Sequence, residues 1–228
     1  EEAWRVNVLG TRRVLDAAIQ AGAKRFVHIS SLAAMRFNVE DQADESAPVM
    51  PTGNPYVDTK IAGEQVVLAA HAAGEIPCTI IRPADVYGPG SRPWTIIPVQ
   101  VIQKGLFLLP AHGQGVFRAI YIDDLVQGVM LAAEKDEGSG QIFILGGENA
   151  TTCEKFFGSY YRMLGKGSPR TMSTPAAVAI AEAGRVIFTL LGRQTELGRG
   201  AMEMLSKKNS VSNAKAHRLL GWHPQVDL

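Results

Sequence analysis

Apolar residues in the first third of the chain alternate between helical spacing and short continuous runs. Two segments with helical spacing, 3–21 and 54–73, are each followed by an almost continuous apolar run, at 24–31 and 77–82. Such runs predict strands that are covered on both faces, as in a parallel sheet with helices on either side. The carboxyl ends of those strands are where ligands usually bind in sheets of this type.

After Gly88-Pro89-Gly90 the predicted elements become shorter. Apolar spacing predicts strands at 107–109, 116–122 and 141–145. It predicts helices at 94–104, at 124–135 with Asp123-Asp124 as the cap, at 152–164, within 175–206, and from Ser212 to Gly221. We therefore expect an α/β fold with a sheet-containing part over residues 1–90. A smaller, mostly helical part over 91–228 is expected to be interleaved with the last strands of the sheet.

The charge balance gives no sign of a polyanionic partner. The 228 residues carry 23 Lys and Arg against 22 Asp and Glu, so nucleic acid and anionic membranes are not expected as partners. The most apolar stretch, 174–192, contains Glu182 and Arg185 and is a poor membrane span. Cys78 and Cys153 lack metal-ligand or redox spacing, and no secretory signal is present. These features predict a reducing, cytoplasmic location.

The five histidines show no metal-ligand or nucleophilic spacing, so no metal is predicted. His28 falls in a predicted strand and is expected to be a packed ring. His217 and His223 lie on either side of the end of the last predicted helix, and we expect both at the surface.

Tyr56 and Lys60 are the strongest candidates for chemistry. They are four residues apart on a predicted helix and therefore share one face. An ammonium group beside a phenol stabilises the phenolate, and such a phenol suits proton exchange with an alcohol or a carbonyl. Ser31, at the end of the preceding strand, could hold the same substrate oxygen. The spacing alone is weak evidence, and it gains weight from the strand–helix–strand context.

Five short motifs occur in order around this pair, at residues 7–11, 25–31, Tyr56-x-x-x-Lys60, 81–90 and 121–125. Together they resemble the extended short-chain dehydrogenase/reductase family, which includes NAD-dependent epimerase/dehydratases and 3β-hydroxysteroid dehydrogenase-like enzymes. The resemblance covers nearly the whole chain, up to residues 220–224. It implies a Rossmann-like parallel sheet with a substrate-side lobe, a nicotinamide cofactor (NAD or NADP) and a small-molecule substrate.

The resemblance also implies roles for individual residues. Tyr56 would be the acid/base, Lys60 would stabilise its ionised form and bind the nicotinamide ribose, and Ser31 would hold the reacting oxygen. Asn7 matches a position that steadies the catalytic site, although a helix-packing role is equally compatible with the sequence. Further implied contacts are Ser30, Pro83, Ala84 and Tyr56 itself to the cofactor, and Asp85 and Arg118 to the substrate.

The family's glycine-rich fingerprint, Gly-x-x-Gly-x-x-Gly, does not occur in this sequence. The simplest expectation is that the chain holds the C-terminal, catalytic part of the family domain without the pyrophosphate-binding part. The 228 residues alone are then expected to bind cofactor poorly and to associate through an uncovered apolar face. Micromolar binding of NAD(H) or NADPH by these residues in a calorimetric titration would contradict this expectation.

Three functions stay open at the level of sequence. The first is an NAD(P)-dependent oxidoreductase for a secondary alcohol or ketone, favoured slightly by the apolar residues at 176–180 and 186–191. The second is a nucleotide-sugar epimerase or dehydratase, although residues 32–36 depart from the Tyr-Gly pair usual in those enzymes. The third is a non-catalytic binding module.

A homodimer is the last expectation from the resemblance, because the helices that contain Asn7 and Tyr56 pair across a dimer in this family. Four small or apolar residues on the second helix could form that outward face, although they could equally be core positions: Val66, Val67, Ala70 and Ala73.

Overall fold

The computed structural model of the protein describes residues 1–35, 41–190 and 198–227. Its strands, β1 to β9 in chain order, are Phe26–Ile29, Cys78–Pro83, Asp85–Tyr87, Leu108–Leu109, Val116–Phe117, Ala119–Tyr121, Ile142–Leu145, Thr151–Thr152 and Arg170–Thr171. Its α-helices, α1 to α9, are Glu2–Trp4, Gly10–Gln20, Pro55–Ala72, Ile97–Gln103, Ile122–Glu134, Cys153–Met163, Thr174–Leu190, Arg199–Leu205 and Ala214–Leu220. Two π-helical turns, Arg5–Leu9 and Arg92–Ile96, precede α2 and α4 directly. Three 3₁₀ turns complete the set: Leu32–Ala34, Ala111–Gly113 and Asp136–Gly138.

The described chain divides into two compact units that are interleaved in sequence. The first unit contains Glu1–Val86, Ile120–Glu148 and Val211–Asp227. The second unit contains Tyr87–Ala119 and Asn149–Ser210. The first break lies near the predicted boundary at residue 90, and two later segments return to the unit that contains the sheet.

A parallel three-stranded sheet in the order β1-β2-β7 forms the centre of the first unit. Neighbouring residues of β2 face opposite sides of the sheet, and both sides are covered. Ile80 packs with Leu15 of α2 and Val67 of α3, whereas Ile81 packs with Trp222 and with residues of α5 and α9. The predicted parallel α/β arrangement is therefore confirmed.

Burial corrects the expected dimer face of α3. Val67 and Ala70 are buried, at 0% and 1% exposure, in the cluster that joins α3 to the sheet and to Leu15. Ala73 is exposed and Val66 is partly buried. Half of the predicted dimer face is therefore core, because Val67 and Ala70, three residues apart, share the face of α3 that packs on the sheet.

Several apolar residues of the first unit are exposed. Within the described strands, β1 pairs only with β2, and Ile29 at its end is 41% exposed. Large apolar side chains are also exposed along the first helical segment, namely Trp4, Val6, Leu9 and Val14. Association of the 228 residues through an uncovered apolar face stays a prediction.

Two predicted helix caps differ from the observed ones. Tyr121 is the N-cap of α5 and its side chain makes no capping bond, whereas the Asp124 carboxylate accepts the backbone N–H groups of Gln225 and Val226 at 2.9 and 3.1 Å. The N-cap of α9 is Asn213 rather than Ser212. For Asp124, a long-range contact that is invisible in the local sequence takes the carboxylate. Ser212 stays near the helix start, where its Oγ accepts the backbone N–H of Ala214 at 3.3 Å.

Aromatic residues form the core of the second unit. Phe117 stacks against Phe156 at 4.2 Å between ring centroids, and Trp94 meets Phe117 edge-on at 5.0 Å. The short strands pair two by two, β4 with β9 in parallel and β5 with β8 antiparallel. Among the described helices, none is long and apolar enough to cross a bilayer.

Candidate active site

The helix α3 presents Tyr56, Lys60 and Glu64 at intervals of one turn, so their side chains share one face. Its start is fixed as the sequence predicts, because Asn54 Oδ1 accepts the backbone N–H of Tyr56 at 2.9 Å and Pro55 is the first helical residue. Exposure falls along this face from Tyr56, which is 50% exposed, to Glu64, which is 1% exposed. The phenol is therefore open to a ligand, and the carboxylate is not.

Lys60 connects this face to the carboxyl end of β1. Its ammonium donates to the carbonyl oxygen of Ile29 at 3.0 Å and lies 5.9 Å from the centroid of the Tyr56 ring. Burial lowers the pKa of the Lys60 ammonium below its ordinary value, and the nearby Glu64 carboxylate opposes that shift. The structure thus places a partly desolvated cation beside the exposed phenol, as the sequence predicts.

Ser31 stands two residues beyond that carbonyl and begins the Leu32–Ala34 turn. Its Oγ accepts the backbone N–H of Ala33 at 3.1 Å, and this contact fixes the side chain as a cap. Because Oγ acts there as an acceptor, its hydroxyl hydrogen is not used in that bond. Ser31 can therefore donate to a substrate oxygen while it holds its own turn.

A buried ionic network beneath this face was missed by the sequence reasoning. Glu64 accepts two bonds from Arg82 of β2, from Nε at 2.8 Å and from Nη2 at 2.7 Å. It also accepts the Ser30 hydroxyl at 2.5 Å, and all three side chains are almost fully buried. Two features of the sequence could have indicated this network. Arg82 is a charged residue inside an otherwise apolar strand, and Glu64 lies one helical turn after Lys60.

The Ser30 hydroxyl is therefore already engaged in a hydrogen bond within the protein. The resemblance assigned it to the cofactor, but its hydroxyl bonds to Glu64 and only 3% of the residue is exposed. Its place in the structure is that of a link between the end of β1 and α3.

Asn7 also links two helices. It lies in the π-helical turn before α2, and its side-chain amide donates to Thr59 Oγ1 at 3.0 Å. Gly63 allows this close approach, because a Cβ there would lie only 3.3 Å from the Asn7 carbonyl oxygen. Asn7 thus holds α3 in place next to Lys60, which fits both of the roles left open by the sequence.

Pro83 and Ala84 lie at the carboxyl end of β2 and are buried. The Ala84 N–H donates to Leu145 O at 2.8 Å, so it completes the sheet and is committed there. Asp85 begins β3 and is partly buried in the first unit. Arg118 belongs to the second unit and is buried rather than solvated, with Nη1 3.5 Å from the carbonyl oxygen of Asn209.

His28, on β1, gives this region a dependence on pH. Burial, together with the charge of Lys60, lowers the pKa of its imidazole from 6.5 to about 4, while Glu64 opposes the shift. Its buried Nε2 makes no hydrogen bond within the described part of the chain. His28 is thus a packed neutral ring, as the sequence predicts.

We expect acid to destabilise the fold through His28. Between about pH 6.5 and pH 4 the unfolded chain binds a proton at this residue that the folded chain refuses, so stability falls as the pH falls. The full effect is about 3 kcal/mol of unfolding free energy. Urea titrations at several pH values should show that His28→Leu gains stability relative to the wild type over this window. If the unfolding free energy of the two proteins varied with pH in the same way, the role of His28 in the pH dependence would be contradicted.

A Tyr-x-x-x-Lys helix packed on the carboxyl end of a parallel α/β sheet defines the short-chain dehydrogenase/reductase class. Residues 1–146 match the model of the NAD dependent epimerase/dehydratase family, and the chain belongs to that family.

Its relatives include both dehydrogenases and dehydratases. The chain is 27% identical to 3beta-hydroxysteroid-dehydrogenase/decarboxylase isoform 1 of Arabidopsis thaliana, over 99% of this chain and 55% of the relative. It is 32% identical to the dTDP-D-glucose 4,6-dehydratase of Mus musculus, over 62% of this chain and 40% of that enzyme. The chain thus spans about half the length of these curated relatives.

A solved structure of the same class superimposes on nearly all of the chain. It is a double mutant of DesIV, a dTDP-glucose 4,6-dehydratase from Streptomyces venezuelae, with NAD bound. The two are 25% identical with a TM-score of 0.70, over 99% of this chain and 62% of the DesIV chain.

The residues at the end of β1 fit the nicotinamide end of such a cofactor. The Lys60 ammonium has three N–H donors and gives one to Ile29 O, and the Tyr56 phenol beside it is half exposed. These groups can bind ribose hydroxyls, while Pro83 and Ala84 supply an apolar strand end. For the pyrophosphate, the sequence contains no Gly-x-x-Gly-x-x-Gly turn.

Proposed function

We propose that this protein is part of an NAD-dependent oxidoreductase that interconverts a secondary alcohol and a ketone, with Tyr56 as the acid/base. The observation that carries the proposal is the position of Lys60, bonded to the Ile29 carbonyl and lying beside the exposed Tyr56 ring. A surface tyrosine with no chemical role would not need a partly desolvated lysine fixed next to it. The family membership and the NAD-bound relative support the same cofactor.

In the oxidation direction, Tyr56 Oη takes the proton of the substrate hydroxyl as the carbon–oxygen double bond forms. Bound NAD would supply the acceptor for the hydride of the carbinol carbon, with its ribose held by Lys60. Ser31 Oγ–H donates to the same substrate oxygen and keeps it within reach of Tyr56. Lys60 stabilises the ionised phenol electrostatically, and in ketone reduction each of these transfers runs in reverse.

The second unit supports an apolar substrate. It contains a cavity of about 230 Å³ whose lining is almost entirely apolar, formed by residues of α4, α7 and α8 and by residues 106–108. Ile180 ends the apolar stretch 176–180 noted in the sequence, and Ala181 follows it. Both residues, on α7, line the cavity together with Met202 of α8. We propose that this cavity binds an apolar group of the substrate, in keeping with the name of the plant relative.

Filling the cavity should weaken binding of an apolar substrate selectively. Gly184 lines it, and a Cβ there would meet no atom within 4 Å, so Gly184→Leu adds volume without a backbone clash. We expect KM for long apolar ketones to rise about tenfold, the equivalent of about 1.4 kcal/mol, with little change for short ones. Gly200→Leu, on the exposed face of α8, is the matched control. Equal KM changes in the two variants would show that the cavity does not bind the substrate.

A nucleotide-sugar dehydratase or epimerase is the second candidate, favoured by the 32% identity to the mouse dehydratase. Turnover of the native protein with NAD or NADP separates the candidates, using secondary alcohols, ketones, dTDP-glucose and UDP-glucose as substrates. Net reduction of the cofactor by an apolar alcohol supports the first candidate, and conversion of a nucleotide sugar without net cofactor reduction supports the second. A cytoplasmic location and a homodimer remain predictions from the sequence.

A further inference from the structure

Three potential metal ligands come together at the C-terminal end of α9, in the first unit. They are Glu148, which follows β7, His217 in the last turn of α9, and His223 beyond that helix. Their ligand atoms all lie within 4.8 Å of one another. We propose that these three side chains form a binding site for a divalent transition-metal ion, with Zn²⁺ as its best-fitting occupant.

The distances suit such an ion. His217 Nε2 lies 3.3 Å from Glu148 Oε2. Two ligands at the usual 2.0–2.1 Å from zinc, in tetrahedral directions, are about 3.4 Å apart. His223 completes the set, with its ring 4.2 Å from the His217 ring and inclined by 30°. Because His223 and Glu148 are exposed, a change of rotamer is enough for both to converge on an ion.

The state of His217 is the second argument for a ligand. Its Nε2 is buried and makes no hydrogen bond within the described residues, although a carboxylate stands nearby. Buried polar atoms are normally satisfied, and an unsatisfied one calls for an ion or another partner. A cation between this nitrogen and Glu148 would satisfy both groups.

The scaffold around the three side chains is firmly tied. Asn213 and Gly146 exchange two hydrogen bonds, of 3.0 and 2.9 Å, and so fix the segment before Glu148 against the start of α9. Beyond His217, Gly221 reverses the chain with a left-handed φ of 60°. Trp222 is fully buried, and its Nε1 donates to Asp124 O at 2.9 Å, which anchors the residue before His223. His217 and His223, which are close in the chain, and the distant Glu148 are thus held at one place.

The chemistry of the donors selects the kind of metal. Two imidazoles and one carboxylate suit Zn²⁺, Co²⁺ or Ni²⁺ rather than Mg²⁺ or Ca²⁺, which prefer oxygen ligands alone. Three protein ligands leave a fourth position for water. The sequence predicted no metal, because the ligand set is completed by Glu148, which lies far from both histidines in the chain.

Calorimetric titration of the 228-residue chain with ZnCl₂ and with MgCl₂ tests the site. We expect one Zn²⁺ per chain and no measurable heat of Mg²⁺ binding. His217→Ala and His223→Gln should each weaken Zn²⁺ binding at least tenfold, while His112→Ala, an exposed histidine of the second unit, should leave it unchanged. His223→Gln keeps the test valid if His217→Ala fails to fold, since His223 is exposed.

Three results would overturn the proposal. They are the absence of stoichiometric Zn²⁺ binding by the wild type, equal affinity in wild type and His223→Gln, or an equal loss of affinity in His112→Ala. A rise of the wild-type melting temperature with Zn²⁺ that is lost in His223→Gln would add support.

Discussion

Replacing Tyr56 with Phe should lower kcat/KM of the native protein by about 10²- to 10⁴-fold, the usual contribution of a positioned acid/base. The substitution removes only a hydroxyl from a ring that is half exposed. The bond that starts α3 is made to the backbone N–H of Tyr56 and is retained in the variant. The fold is therefore expected to change little, and the loss in kcat should far exceed any change in the dissociation constant of NAD.

Tyr160→Phe is the matched control for this experiment. It also removes one phenolic hydroxyl, which donates to the Trp94 carbonyl at 2.9 Å in the second unit. We expect a loss of about 1 kcal/mol in stability and an unchanged rate. If Tyr56→Phe keeps the wild-type kcat/KM, the acid/base must lie elsewhere.

Breaking the buried ion pair under the site should produce the largest loss of stability. Glu64→Gln leaves the Arg82 guanidinium charged, 3% exposed and without its carboxylate. Removing one partner of a buried pair costs about 3–5 kcal/mol, because the other charge remains desolvated. The free energy of unfolding, measured by urea titration, should fall by that amount.

Two controls separate burial from charge in this prediction. Glu203→Gln removes a carboxylate that faces Arg199 at 3.6 Å on the surface, and it should change stability by less than about 0.5 kcal/mol. The double variant Glu64→Leu/Arg82→Met should recover much of the loss, because neither charge is then buried alone. A Glu64→Gln protein as stable as the wild type would show that water reaches the pair.

The sequence predicted the elements that depend on local rules. The helix of Tyr56 begins at Pro55 with Asn54 as its cap, and the last helix ends at Gly221, because caps and left-handed turns are encoded by adjacent residues. The closeness of Tyr56 and Lys60 followed from the helical period. Their closeness to the end of β1 required the family's order of motifs.

Long-range pairings could not be predicted in this way. Nothing near Glu64 in the sequence identifies Arg82 as its partner, and nothing near His217 identifies Glu148. Asp124 was expected to cap a helix, yet its carboxylate holds the backbone of Gln225 and Val226. Such contacts depend on which strands and helices pack together, so they appear only in the folded chain.

The most direct test of the proposed catalytic centre is the transfer of deuterium from a substrate alcohol to the nicotinamide. The native protein would be incubated with NAD and a secondary alcohol deuterated at the carbinol carbon, chosen from the substrates that it turns over. Mass spectrometry of the reduced cofactor should find one deuterium per ketone formed, with the rate of transfer lowered at least about 10²-fold by Tyr56→Phe. Ketone formation without deuterium in the cofactor, or with equal rates in the two proteins, would contradict a hydride transfer coupled to Tyr56.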